Sequence, residues 1–386
     1  MLDAALLLAQ LQLQQGVGNG RGRELCLELC ACSEACAAHT SNFGLSPALL
    51  SRSRSSTALS SSISTMPLPT DIVDCHHHFL APDEPFHSFL KGKAPNYTAA
   101  QYAADCGDLP VSRTVHVEAL AVDGAGEARY VEQLADGGMC KVAAIVANCD
   151  LSAPDAAAQL AALKKASPRL RGIRYILDYV GPWTGKNATH VACSVHDTDY
   201  LRDTAAAPKF AAGFAQLAAL GLSFDLQCAP EQLPAAAKLC AAHPEVRVVI
   251  DHLGKPRHLG ADAAADAATL AEWRANMAAM AALPQVYVKL SMLGYCVPGW
   301  DQDEAKEATV AALVLEVIKL FGASRCMFAS NWHVNGAVSN GPDDGPAPSG
   351  PAMPELYAKF AKWVAELPAD DQAKLFAGTA AEFYRI

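Results

Sequence analysis

Short apolar runs alternate with longer amphipathic stretches between residues 72 and 331. Eight runs rich in apolar and β-branched residues end in polar residues, which is typical of strands buried in a parallel sheet. The stretches between them are rich in Ala and Leu at helical spacing, and Gly221 and Gly322 follow two of them, where a helix is expected to stop. The predicted strands are Ile72–His78, Thr114–Glu118, Lys141–Asn148, Gly172–Asp178, Leu222–Gln227, Val246–His252, Val286–Ser291 and Arg325–Asn331.

This alternation predicts an α/β fold. Strands that alternate with helices pair in parallel, and eight such units favour closure into a (β/α)8 TIM barrel. A doubly wound open sheet is the alternative, but it would need a glycine-rich nucleotide loop after the first strand, where three histidines stand instead. The last predicted helix, Asp370–Phe383, is expected to join the barrel's outer ring of helices.

Residues 1–65 differ from the rest of the chain. They include a Ser-rich, Arg-containing stretch, and no acidic residue occurs from Ala35 to Thr70. Such a composition resembles an organelle transit peptide and predicts a disordered leader. Translation that starts at Met66 is the alternative. In either case the predicted barrel domain comprises residues 66–386.

The charge and cysteine content restrict the partners. The formal net charge is −10, which argues against nucleic acid and anionic membranes, because both reward clustered Lys and Arg. No apolar run is long enough to span a bilayer. Most of the 13 cysteines are scattered singly, which is typical of reduced thiols. We therefore expect a reducing intracellular compartment, either the cytoplasm or a plastid or mitochondrion; a homo-oligomer remains open.

The first predicted strand ends in Asp74-Cys-His76-His-His78. Because side chains alternate along a strand, Asp74, His76 and His78 are expected to point into the barrel mouth and His77 away from it. Working residues of such barrels project from the C-terminal ends of strands. Two imidazoles on one face can bind one metal ion or one substrate oxygen. A histidine-rich turn that only packs is the alternative.

The sixth predicted strand ends in Val248-Val-Ile-Asp251-His252. A buried run that closes with Asp and His offers a carboxylate base and an imidazole at the same depth. The alternative is an Asp that only caps the following turn.

Together these motifs resemble the amidohydrolase superfamily, in which His-x-His closes the first strand and a His closes the sixth. Within it, the chain is similar to the amidohydrolase-related (amidohydrolase 2) group, which contains sugar lactonases and 2-pyrone-4,6-dicarboxylate lactonase. The resemblance extends from Ile72 to the C-terminus. The phrases that carry it, besides the His-x-His, are Val115-His-Val-Glu118-Ala, Arg171-Gly-Ile-Arg174, Phe224-Asp-Leu, Ile250-Asp-His-Leu-Gly-Lys-Pro, Val288-Lys-Leu-Ser291 and Arg325-Cys-Met-Phe-Ala-Ser-Asn331.

The resemblance implies a metal centre, but this sequence departs from it. Asn331 stands where the superfamily usually has an Asp that binds metal and accepts a proton, and an amide does neither well. Gln227 stands where a His or another ligand is common on the fifth strand. No lysine suited to carbamylation ends the fourth strand.

The implied ligand set is thereby reduced to His76, His78 and His252, with Glu118 as a further candidate. Three neutral histidines can hold a catalytic zinc ion. The resemblance also includes lactonases that dispense with metal. One divalent ion, with zinc as the candidate, and metal-free chemistry therefore both remain open.

The expected reaction is hydrolysis of a lactone of a small anionic sugar acid or dicarboxylate. His76, His78 and His252 would polarise the carbonyl, directly or through a cation, and Asp251 would take the proton of the attacking water. Arg174 and Lys289 would orient the anionic substrate in a cationic mouth. For Arg174, a structural ion pair with Asp178 or Glu118 is the alternative. The predicted substrate-binding residues are Arg174, Lys289, Glu118, Gln227 and Asn331.

Three other functions stay open. Related barrels decarboxylate aromatic acids with a metal, and others hydrolyse C–N bonds, but Asn331 argues against both. A barrel that kept the fold and became a binding protein is the third. Convergence of Asp251, Glu118 and the three histidines on a common point would favour catalysis over binding alone.

Overall fold

The structure is a computed structural model that describes residues 68–92, 94–181, 196–256, 259–260, 262–332 and 350–386. The predicted leader, residues 1–65, lies outside these ranges. The description that follows concerns the unit from Ser64 to Ile386.

Eight parallel strands pair in chain order, each with the next, so the predicted (β/α)8 barrel is confirmed. Hydrogen bonds just beyond the last strand join it to the first: the Asn331 N–H donates to the carbonyl of His76 at 2.8 Å, and the His78 N–H to that of Trp332 at 2.8 Å. The strands are β1 (Ile72–His77), β2 (Val111–Val117), β3 (Val142–Asn148), β4 (Leu170–Arg174), β5 (Ser223–Leu226), β6 (Val248–Ile250), β7 (Val286–Leu290) and β8 (Cys326–Phe328).

Helices follow the strands and cover the outside of the sheet. Several begin at an Asp whose side chain accepts hydrogen bonds from the first free backbone N–H groups, as Asp123, Asp262 and Asp303 do. The helices are α1 (Ala99–Cys106), α2 (Gly124–Asp136), α3 (Ala156–Ala166), α4 (Ala207–Ala219), α5 (Leu233–Ala242), α6 (Ala263–Ala281), α7 (Glu304–Phe321), α8 (Met353–Trp363), α9 (Ala369–Ala373) and α10 (Thr379–Tyr384).

Every predicted strand overlaps an observed one, and all the observed strands except β3 end earlier than predicted. β4 ends at Arg174 and not at Asp178, and β6 ends at Ile250 and not at His252. His252 and Leu253 both have positive φ, 57° and 55°, so the chain turns sharply there. The polar residues that were predicted to close β4 and β6 therefore lie beyond the hydrogen-bonded sheet, at the mouth formed by the strands' C-terminal ends.

The C-terminal segment fills the other end of the barrel. A π-helical turn, Lys374–Gly378, separates α9 from α10. Phe383 and Tyr384 are fully buried and pack among the inward-facing residues of the strands, including Val73 and Met327. The last predicted helix, Asp370–Phe383, is present with the π-helical turn inside it, but the prediction that it joins the outer ring is wrong, because Phe383 and Tyr384 pack inside the barrel.

Within the ranges that the structure describes, we find no helix that is long and apolar enough to cross a membrane.

Candidate active site

A shift in strand pairing on β1 decides which of its polar residues reach the mouth. The register of β1 against β2 shifts between Asp74 and His77. Such an irregularity breaks the strict alternation of side chains. As a result, Cys75 packs in the barrel interior and His76 also lies inside, against β6 and β7 residues. His77 faces the outer layer, where its ring packs against that of Tyr102 at a tilt of 35°.

Asp74 lies outside the barrel, so the prediction that it points into the mouth with His76 is wrong. Its Oδ2 accepts hydrogen bonds from the Tyr102 hydroxyl at 2.6 Å and the Ser330 hydroxyl at 2.6 Å. Its Oδ1 accepts one from the Ser330 N–H at 2.9 Å. Asp74 thus fastens the end of β8 to β1 and α1. Burial raises the pKa of this carboxyl group.

Three residues meet at the mouth, and we call them the mouth group: His76, Asp251 and His252. One potential ligand atom from each lies within 4.8 Å of those of the other two. The Nδ1 of His76 is 3.5 Å from Oδ1 of Asp251, and the Nδ1 of His252 lies 2.9 Å from the Ser291 hydroxyl. All three are buried. The structure thus brings together two of the predicted ligands and the predicted base.

Asp251 is a buried carboxylate held between cations. Neither of its oxygens makes a hydrogen bond of good geometry with any residue that the structure describes. The Lys289 ammonium lies 3.2 Å from Oδ1, and Nη1 of Arg174 lies 3.7 Å from Oδ2. Burial alone would raise the pKa of Asp251, but the charge of Lys289 and the contact with His76 hold it well below its usual range. Asp251 is therefore ionised at neutral pH.

The histidines of the mouth are neutral. Burial, and then the charge of Lys289, lower the pKa of His76 well below its usual value. Burial lowers the pKa of His252 to about 3, although Asp251 opposes this. Burial and the charge of Arg174 lower the pKa of His78 in the same direction. At neutral pH each ring therefore has one N–H donor and one lone pair.

Arg174 is held by its neighbours on the adjoining strands. Its Nε donates to Oε1 of Glu118 at 2.7 Å, and its Nη1 donates to Oε1 of Gln227 at 3.1 Å. Nη1 is also 3.4 Å from Nε2 of His76. The ion pair with Glu118, which we gave as the alternative for Arg174, is present. Glu118 and Gln227 therefore orient Arg174 towards the mouth group.

The mouth was expected to be cationic, but its three cations face four carboxyl groups. Lys255 pairs with Asp178, and Lys289 donates to Asp225 at 2.5 Å. Among the described residues at the strand ends, every lysine and arginine inside the barrel has a carboxylate partner. The cations are Arg174, Lys255 and Lys289, and the carboxyl groups are Glu118, Asp178, Asp225 and Asp251.

His78 lies beside the mouth group and contacts Asn331. Its Nδ1–H donates to the carbonyl of Val117 at 2.8 Å, so its lone pair is on Nε2. Nε2 lies 3.2 Å from Oδ1 of Asn331, whose Nδ2 donates to the Met292 sulfur at 2.9 Å. Because the two ends of an amide have nearly the same shape, turning it places the NH2 group as donor to Nε2. An Asn, unlike the Asp that is usual at this position, can satisfy a neutral His78 in this way.

The donor types of the mouth group fit a divalent metal, but their surroundings do not. Two imidazoles and a carboxylate are common zinc ligands. However, the Lys289 ammonium lies 3.0 Å from Nδ1 of His76 and 3.2 Å from Oδ1 of Asp251. The other His76 nitrogen faces Arg174. A metal ion bound to His76 through either nitrogen would therefore stand beside a fixed positive charge.

Three residues of the site were not among the predicted ones. Asp225 could have been found, because it lies two residues before Gln227 and therefore on the same face of β5. Lys255 stands within a motif but was not assigned a role. Tyr384 had no local signal: it donates to Oδ2 of Asp225 at 2.8 Å from the C-terminal helix, 159 residues away.

The chain is similar in sequence to two proteins of the genus Burkholderia. The chain is 30% identical over 281 residues to an L-fucono-1,5-lactonase of Burkholderia ambifaria, a match that covers 72% of this chain and 81% of that protein. It is 28% identical over 329 residues to an L-fucono-1,5-lactonase of Burkholderia multivorans, covering 81% and 96%.

Solved structures agree with the fold. A crystal structure of an amidohydrolase from Burkholderia multivorans with bound HEPES matches with a TM-score of 0.63 at 26% identity, covering 82% of this chain and 99% of that one. Another crystal structure of an amidohydrolase from that organism, with bound zinc, matches with a TM-score of 0.62 at 24% identity over the same shares. At that identity the second match supports the fold alone. The model of the amidohydrolase family matches residues 73–386, most of the sequence, and the chain therefore belongs to the amidohydrolase family.

Proposed function

We propose that this chain is a hydrolase that opens the lactone ring of a sugar acid. The observation that carries the proposal is the mouth group, in which an ionised, buried Asp251 stands beside two neutral histidines at the C-terminal end of the barrel. Two relatives at 28–30% identity bear the name L-fucono-1,5-lactonase, which makes a 1,5-lactone the first substrate to test.

Hydrogen bonding assigns His76 the role of a donor. Lys289 donates to Nδ1 of His76 at 3.0 Å, so the single proton of the neutral ring lies on Nε2. Nη1 of Arg174 lies 3.4 Å from that nitrogen and points the N–H that Gln227 does not use towards it, so two donors face each other there. Two donors at this separation can share one oxygen. They would stabilise the negative charge that develops on the lactone carbonyl during attack.

Asp251 supplies the proton transfer. Its carboxylate takes a proton from a water molecule while the water oxygen bonds to the lactone carbonyl carbon. The tetrahedral intermediate then breaks its ring C–O bond, and the departing alkoxide takes the proton back from Asp251. The products are a hydroxy acid and the enzyme in its starting state, so this sequence needs no further reactant.

The charge balance of the mouth favours an uncharged lactone over a dicarboxylate. Arg174 and Lys289, which were expected to hold a substrate carboxylate, are already paired with Glu118, Asp225 and Asp251. A substrate carboxylate would have to displace one of these buried partners and leave it without a counter-ion, which is costly.

The test is hydrolysis of L-fucono-1,5-lactone by the full chain, with the spontaneous rate subtracted. Other sugar 1,5-lactones and 2-pyrone-4,6-dicarboxylate serve as alternative substrates, each with and without a chelator. We expect turnover of a sugar lactone that the chelator does not change and that Asp251→Asn abolishes. Turnover of the dicarboxylate alone would contradict the choice of substrate. The absence of turnover on every lactone, or full activity of Asp251→Asn, would contradict the reaction itself.

A further inference from the structure

Lys289 occupies an unusual position for a lysine. Its side chain is fully buried inside the barrel, where its ammonium group contacts three polar groups. Nζ lies 2.5 Å from Oδ2 of Asp225, 3.0 Å from Nδ1 of His76 and 3.2 Å from Oδ1 of Asp251. Two of these groups belong to the mouth group, whose spacing would otherwise suit a metal ion. A positive charge therefore already stands between them.

A metal ion would have to share this space. Zinc bonds to nitrogen and oxygen are about 2.0–2.2 Å long, so an ion that bound both Nδ1 of His76 and Oδ1 of Asp251 would lie within about 4 Å of the Lys289 ammonium. Binding through Nε2 of His76 would instead bring the ion next to Arg174, whose Nη1 is 3.4 Å from that atom. Both routes place like charges together in a buried site, where repulsion is strong.

The position of Lys289 is built into the fold. Asp225 on β5, two strands from β7, accepts its hydrogen bond, and the Tyr384 hydroxyl donates to the same carboxylate oxygen at 2.8 Å. The ammonium also lies 5.6 Å from the centre of the Tyr384 ring. This column of side chains extends from the C-terminal helix α10 to the mouth group. A buried lysine held on both sides by carboxylates has little freedom to withdraw.

We propose that Lys289 is a positioning residue whose ammonium takes the place of a divalent cation between His76 and Asp251. It keeps the Asp251 carboxylate ionised, and it donates to Nδ1 of His76 so that the ring presents its proton on Nε2. The orientation of His76 rests on the proposed function, in which Nε2 binds the carbonyl oxygen. The exclusion of a metal ion does not depend on that function.

Zinc binding tests the exclusion without any assay of activity. We would measure zinc affinity and stoichiometry by calorimetry for the full chain and for the double variant Lys289→Met/Asp225→Asn, which removes one charge of each sign. The matched control is Lys255→Met/Asp178→Asn, which removes the other buried Lys–Asp pair of the mouth. A third protein adds His76→Ala to the first variant and shows whether bound zinc uses His76.

We expect the Lys289 variant to bind one zinc ion about tenfold more tightly than the wild type or the control, and to lose this gain with His76→Ala. A wild-type chain that binds zinc through His76, or a Lys289 variant that gains nothing over the control, would overturn the proposal. If the double variant does not fold, Lys289→Gln replaces it, because an amide keeps a donor and loses the charge; the same two outcomes then decide.

A pH profile tests the positioning role. Without the nearby cation the pKa of Asp251 rises, so the acid limb of kcat/KM for lactone hydrolysis should move to higher pH in the Lys289 variant and stay in place in the control. An unmoved acid limb would contradict the positioning role. If no lactone is turned over, the proposed function fails while the zinc result still decides the exclusion.

Discussion

Two clusters of histidine and carboxylate lie on opposite faces of the barrel wall and meet at β1. The mouth group, His76, Asp251 and His252, stands inside the barrel. The outer histidine cluster, which consists of His77, His87, His116 and Glu127, lies between β1, β2 and the covering helix α2. All of these residues are buried, and each cluster contains a carboxylate. Composition and burial therefore do not distinguish them.

Hydrogen bonding distinguishes them. Oε1 of Glu127 accepts from Nε2 of His87 at 3.0 Å, from Nε2 of His116 at 3.2 Å and from the Ala119 N–H at 2.9 Å. The oxygens of Asp251 have no comparable donors among the residues that the structure describes. A carboxylate whose oxygen accepts three hydrogen bonds from the protein stabilises the fold, whereas a charged carboxylate without such bonds stays available to water or a ligand. The outer cluster is therefore structural, and the mouth group is the candidate for chemistry.

The largest expected effect separates the two carboxylates by activity. Asp251→Asn removes the proposed base and should lower kcat/KM for lactone hydrolysis by about 10²–10⁴-fold. The matched variant, Glu127→Gln, should leave kcat/KM of the folded protein within a few-fold of the wild type. The measurement is initial rate at matched folded concentration. Equal losses in both variants would remove the distinction.

The next effect concerns stability, for which Glu127 should matter more than Asp251. Burial alone would raise the pKa of Glu127, but the bonds from His116 and His87 lower it from 4.5 to about 2. This shift corresponds to about 3 kcal/mol of stability at neutral pH. Glu127→Gln should therefore reduce the free energy of unfolding in urea by about that amount, and more than Asp251→Asn does. A Glu127 variant as stable as the wild type would show that the cluster contributes nothing to the fold.

A smaller effect follows from the pH dependence of the same group. A carboxyl whose pKa is depressed in the folded state stabilises the protein above its unfolded pKa and loses that contribution as the pH falls towards its folded pKa. The contribution of Glu127 should therefore decline between about pH 4.5 and pH 2. Urea unfolding at successive pH values should show the wild type and Glu127→Gln converging over that window. Curves that stay parallel would contradict this assignment.

The smallest expected effect comes from two hydroxyl groups in equivalent positions. The Thr114 hydroxyl lies 2.9 Å from Nε2 of His77, and the Ser291 hydroxyl lies 2.9 Å from Nδ1 of His252. Thr114→Val should cost about 1 kcal/mol of stability and leave activity unchanged. Ser291→Ala should instead lower kcat/KM by about tenfold, because His252 is no longer oriented. Thermal unfolding and initial rates on both variants test the pair, and the reverse pattern would exchange the roles of the clusters.

The sequence determined the barrel and the strand ends that carry its chemistry. The alternation of apolar runs with helical stretches predicted eight strands, and all eight formed, because burial of both faces of a parallel strand leaves a continuous apolar signal. His76, Asp251 and His252 were found for the same reason: polar residues that close such runs must emerge at one end of the barrel. The resemblance to amidohydrolases was likewise readable from local motifs.

Tertiary structure alone decided which of these side chains meet. Strict alternation placed Asp74 beside His76, but the register shift on β1 turned Asp74 outward to Tyr102 and Ser330, and no local pattern announces such a shift. Lys289 was predicted as a substrate-binding residue, but its contacts with His76, Asp225 and Asp251 depend on strands far apart in sequence. A pairing of charges is a property of distances across the barrel, and closure of the sheet sets those distances.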